Sequence, residues 1–120
     1  MFDNNVMLRK TSDGNLTASE TSRPGVDFGG PDLVPVTYQV HVPQAAGTTP
    51  TLTVKIQVSS DNNTWVDYLT VPQITAAGEY RITGMANYRY RRAHLTVGGT
   101  SPNFGAVEIG AVPGGEYTSW

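Results

Sequence analysis

The sequence contains no cysteine, which removes disulfide scaffolds, thiolate zinc sites and thiol catalysis together. Charge is scarce: 8 basic and 10 acidic residues make 15% of the chain, against about 25% in an average soluble domain. The net charge of −2 excludes a globally basic nucleic-acid binder and leaves room only for a local basic patch. No apolar run approaches the roughly 18 residues of a membrane span, and Met1–Lys10 lacks the apolar stretch of a signal peptide. Leucine is sparse too. Its 6 residues are outnumbered by 15 threonines and 13 valines, the composition of strands rather than helices.

What is present is alternation. In a chain of 120 residues, long enough for one domain, apolar and polar side chains alternate with period 2 over several short runs. Val34–Val42 places Val34, Val36, Tyr38, Val40 and Val42 on one face and Thr37, Gln39 and His41 on the other. Thr51–Ser59 directs Leu52, Val54, Ile56 and Val58 inward, and Ser60–Asn63 turns it into a partner strand over Thr64–Val71. Leu16–Ser22 with Val26–Phe28, Glu79–Thr83, Tyr88–Val97 and Phe104–Val112 read as further strands, and Pro43–Pro50 and Gly98–Asn103 as loops. The pattern predicts an all-β fold: an antiparallel β-sandwich or jelly roll of seven to eight short strands. The expected layout is an extended N-terminal arm (1–14), a single sandwich domain (15–113) and a C-terminal tail (114–120).

Catalytic and metal-binding patterns are missing. There is no G-x-S-x-G, H-E-x-x-H or phosphate-binding glycine loop. The two histidines, His41 and His94, both fall on polar strand faces; two imidazoles do not close a zinc site even if their strands pair. Asp61-Asn62-Asn63 lacks the spaced carboxylates of a calcium loop and reads as a hairpin turn. No catalytic residue, metal or cofactor is expected. The dense feature is basic. Arg81, Arg89, Arg91 and Arg92 interleave with Tyr80, Tyr88 and Tyr90, and alternation sends Arg92 to the opposite face from Arg89 and Arg91. Arg81, Arg89 and Arg92 form a candidate interface patch for protein carboxylates, phosphate or bases, against internal pairing with Glu79, Asp67 or Glu108. Trp65 and Tyr68, beside the hairpin turn, are candidate rings for stacking on sugars.

The ordered series LTASETS (16–22), VDFGG (26–30), V-x-Y-x-V-x-V (36–42), TLTVKIQVSSDNNTW (51–65), ITAAGEYRI (74–82) and RYRRAHLTVGGTSPNFGAVEIG (89–110) resembles the jelly-roll cement, or decoration, proteins of tailed-bacteriophage capsids. The likeness spans nearly the whole chain and rests on the order of otherwise common β-motifs; the family often has an apolar residue where Arg91 stands. It implies a non-enzymatic structural virion protein, made in the bacterial cytoplasm. Such a protein sits as a homotrimer at threefold positions on the outer capsid surface, where it bridges major capsid protein subunits. It implies no direct nucleic-acid or membrane partner. The arm (Phe2, Val6, Met7, Leu8) and the tail (Tyr117, Trp120) are the candidate contacts with capsid or neighbour. The alternatives are a carbohydrate- or host-receptor-binding sandwich, in which Trp65 and Tyr68 hold a glycan, and a tail or head-completion protein.

Overall fold

The computed structural model of the chain describes residues 7–30, 32 and 35–113. Among these residues eight strands are found: β1 (Met7–Arg9), β2 (Val26–Asp27), β3 (Val36–Val42), β4 (Ala46–Ser59), β5 (Val66–Thr70), β6 (Gly78–Gly84), β7 (Tyr90–Asn103) and β8 (Glu108–Pro113). They form two four-stranded antiparallel sheets, ordered β1-β8-β3-β6 and β2-β7-β4-β5. That order is a jelly roll, two Greek keys wrapped face to face. A single 3₁₀ turn, Thr11–Asp13, interrupts the strands among the described residues.

Alternation decides which side chains meet between the sheets. Val36, Tyr38, Val40 and Val42 of β3 face Leu52, Val54 and Ile56 of β4 and Ala93 and Leu95 of β7, all essentially without solvent contact. Lys55 and Gln57, the intervening residues of β4, point outward and are half-buried. Leu16, Ile74, Phe104 and Val107 plug one end of the sandwich from the connecting segments. Fully burying a side chain of this size stabilises by about 1.5–3 kcal/mol, so this layer is the main source of stability.

Several expectations need correction. The sandwich begins at residue 7 rather than 15. Met7–Arg9 pair with β8, and Met7 and Leu8 are 6% and 3% exposed within their own domain. They are therefore not free to reach a neighbour; a three-residue strand with a register shift is too short to show a period. Phe2, Val6, Tyr117 and Trp120 lie outside the described residues. Within the Thr51–Val71 hairpin, β5 is an edge strand, and the long β4–β7 pair is central to its sheet.

The segments read as loops at 43–50 and 98–103 are, from Ala46 and Gly98 onward, continuations of β4 and β7. Register shifts at Ala46/Thr48 and Thr48/Thr51 mark β-bulges, which break period 2 while keeping the strands paired. The bulged stretch places Thr49 and Ser101 at positive φ, 46° and 51°. Gly99, at φ +105°, lets the two backbones close: a Cβ there would lie 2.6 Å from the Thr49 carbonyl oxygen. Leu16–Ser22 is not a full strand either. It touches β7 through one bridge, Glu20 with Leu95, and the Ser19 hydroxyl accepts the Val97 N–H in place of backbone.

Candidate functional site

Charge is sparse, so the use of each arginine is informative. Arg9 is wholly buried at the seam between β1 and the 14–25 segment. Its guanidinium donates to both carboxylate oxygens of Glu20 (3.0 and 3.1 Å) and to the carbonyls of Val107 (2.8 Å) and Gly14 (3.0 Å). Arg23 donates to the same Glu20 (2.9 Å), to Asp13 (2.8 Å) and to the Leu8 carbonyl (3.1 Å). Asp13 in turn accepts from the Lys10 backbone N–H, the largest influence holding its pKa below the usual value. Burial pushes the Glu20 pKa up, but the hydrogen bonds and charges of Arg9 and Arg23 outweigh it and leave the net value lowered. This network locks one seam of the sandwich. Beside it, a groove of about 260 Å³ opens between edge strands β1 and β2, with Met7, Leu8, Pro24 and Val26 on its walls and Lys10 at its rim.

Arg91 occupies the interior at the opposite end, with no solvent exposure. It pairs with Asp32 (2.7 Å) and donates to the Tyr38 hydroxyl and the Tyr88 carbonyl, each at 3.1 Å. The Phe28 ring lies 4.4 Å below the guanidinium. Asp32 is itself fixed by the Ala86 N–H (2.9 Å). The Nε of Arg91 is buried without a partner. Burial raises the Tyr38 pKa to about 12, with Arg91 pulling the other way. Alternation placed Arg91 on the inward face; the sequence held no sign that Asp32 would be its counter-ion.

The expected Arg81–Arg89–Arg92 patch does not assemble. Arg81 lies on β6, in the other sheet from Arg92, and Arg89 stands in the bend before β7. Arg89 forms a two-pronged pair with Asp27 (both 2.7 Å), whose pKa falls to about 2, chiefly through the Arg89 hydrogen bond and next the Gly29 N–H. None of the three residues weighed as internal partners, Glu79, Asp67 or Glu108, pairs with Arg89 or Arg92.

Arg92 remains on the outer face of the β2-β7-β4-β5 sheet. Its Nε donates to the Gln57 side chain (2.8 Å) and its guanidinium lies 4.5 Å from the Trp65 ring. Gln57 passes its amide to Asp67 (2.8 Å), and Asp67 also holds Lys55 (3.2 Å). Those two donors, Gln57 first, hold the Asp67 carboxyl below its usual range. His94 stands opposite Lys55 and Arg92 opposite Gln57, so all four side chains share one face. Trp65 is kept in place by Gly25, where a Cβ would lie 2.8 Å from two ring carbons.

Trp65 and Tyr68 do not make a shared platform for a sugar. Trp65 covers Arg92, whereas Tyr68 turns toward the other sheet, its hydroxyl 2.8 Å from where a Cβ on Gly84 would stand. The two rings are three residues apart, an odd step that strand alternation sends to opposite faces. His41 and His94 likewise belong to different sheets, His41 lying 3.8 Å from Glu79. Among the described residues no group of three or more His, Asp or Glu side chains is placed to hold a metal. Asp61 is consumed by its turn: it accepts from the Asn63 and Thr64 N–H groups and the Ser59 hydroxyl, each at 2.9 Å. Neither a family model nor a curated protein matches the chain.

Proposed function

We propose that this chain is a structural decoration protein of a tailed-phage capsid, binding the outer surface of the assembled shell and bridging major capsid subunits. The observation that carries the reading is how the molecule distributes its apolar surface. Among the described residues the large hydrophobic side chains left exposed are Val66, Met85 and Tyr88. They lie toward one end of the jelly roll. Val66 is opposite Val58, which is opposite Arg91; the Tyr88 carbonyl accepts from Arg91; and Met85 follows Gly84, the last residue of β6. The last described residue of the chain also lies at this end of its sheet, Pro113 opposite Val36 and Val36 opposite Gly84. Together with the ordered β-motifs of the sequence, this supports a rigid block with one end suited to contact.

A rigid block fits mechanical work. Copies that bind only the assembled shell stabilise it by mass action, without any chemistry of their own. The homotrimer, the threefold position and the virion location belong to the same proposal. The test is cosedimentation of the purified protein with decoration-free shells of the phage whose genome encodes it. Saturable binding to shells, and none to unassembled capsid protein, is expected. Absence of shell binding, or attachment confined to the tail, rejects the proposal. The glycan alternative gains no observation from the separated Trp65 and Tyr68.

A further inference from the structure

Arg92 differs from its neighbours in one respect. Arg9, Arg23, Arg89 and Arg91 each have a carboxylate partner, whereas Arg92 has none among the described residues. It is nonetheless held still. The Gln57 oxygen fixes its Nε at 2.8 Å, and Trp65 stacks at 4.5 Å. Trp65 is in turn seated against Gly25. No described group engages the two terminal nitrogens of the fork. Partial burial already disfavours its charge and lowers its pKa from the usual value. An ordered, partly desolvated guanidinium with a free fork is the arrangement that recognises a planar carboxylate, and arginines of this kind dominate binding at interfaces.

We propose that the outer face around Arg92 is a docking site for an Asp or Glu side chain of a partner protein, with Trp65 and Gln57 presenting the fork. The identification of the partner as a shell protein rests on the decoration reading; the carboxylate chemistry does not. Three features favour a protein carboxylate over nucleic acid. Among the described residues the face carries just Arg92 and Lys55 as fixed cations, and Lys55 is already held by Asp67. Asp67 borders the site and repels a continuous polyanion. The chain has a net charge of −2, without the basic stripe that a phosphate backbone needs. His94, opposite Lys55, has its Nδ1 buried without a partner, which leaves a further polar group on this face.

The experiment is a titration of the ¹⁵N-labelled full chain with a short peptide carrying a single glutamate between uncharged residues, read at the Arg92 Nε–H and the Trp65 indole N–H. Both resonances are expected to shift and saturate, and Arg92→Gln is expected to weaken binding by about tenfold or more. Arg92→Lys keeps the charge but not the fork, so it should weaken binding as well. Lys10→Gln, at the groove rim, should change it less than about twofold, the scale of an exposed charge. Unchanged affinity in Arg92→Gln or Arg92→Lys overturns the proposal. So does tighter binding of an oligothymidylate of equal charge, which makes nucleic acid the ligand. A folded Arg92→Gln that still decorates shells like wild type also overturns it while leaving the decoration reading intact. Failure of the wild type to bind shells overturns only that reading.

Discussion

Arg91 and Arg92 are joined by one peptide bond and live in opposite worlds. β7 turns Arg91 into the sandwich, where Asp32, the Tyr38 hydroxyl, the Tyr88 carbonyl and the Phe28 ring surround it. It turns Arg92 outward, where an amide and an indole hold it and no described carboxylate meets it. A buried cation cannot be left unpaired, so the interior had to supply a counter-ion and several acceptors. An outward cation tolerates solvent, so it can wait for a partner. The same residue type therefore fixes the fold on one face of a strand and leaves a contact open on the other.

The largest effect expected is on the inner side. Arg91→Ala strands the Asp32 carboxylate in the interior and should destabilise by about 3–5 kcal/mol in urea unfolding. The double variant Arg91→Met with Asp32→Asn should recover much of that loss; failure to recover would mean that the pair itself, not the stranded charge, sets the stability. Next comes the seam. Glu20→Ala removes the shared acceptor of Arg9 and Arg23, and because Glu20 is partly exposed the loss should be smaller, about 1–3 kcal/mol.

The sign of its pH dependence follows from the lowered pKa. The contribution of Glu20 is fully present above its ordinary value of 4.5 and is lost as pH falls through the lower value of the folded state. Glu20→Gln should therefore flatten the acid side of the stability profile below that value. Tyr38→Phe should cost about 1 kcal/mol, the loss of one hydrogen bond from a charged donor that keeps other acceptors. The raised Tyr38 pKa works in the opposite sense to that of Glu20. Its contribution holds below pH 10.0 and disappears as pH rises through about 12, a slope that Tyr38→Phe should remove.

The smallest stability effect belongs to Arg92→Gln, below about 1 kcal/mol, because only the ring contact and one amide bond are lost. A loss as large as that of Arg91→Ala would erase the distinction between the two faces.

Alternation made the sandwich readable. The inward sets of β3 and β4, and the inward placement of Arg91 against Arg92, follow from period 2 alone. Three kinds of feature were hidden. The bulges at 46–51 look like loops because an extra residue breaks the period without breaking the pairing. β1 is too short for any period to show, so its buried Met7 and Leu8 resemble a loose arm. The counter-ions are hidden because they come from distant segments: Asp32 meets Arg91, Glu20 meets Arg9 and Asp27 meets Arg89, each by a topology that no local motif encodes. For the same reason the candidate patch of three arginines shrinks to Arg92, which only the fold could show to lack a carboxylate among the described residues.

Thermal rupture of purified shells, with and without the bound protein, tests the mechanical role most directly. Decorated shells should release their DNA at a higher temperature than stripped ones, and re-addition of the protein should restore the difference in proportion to occupancy. Equal rupture temperatures at full occupancy would contradict the account.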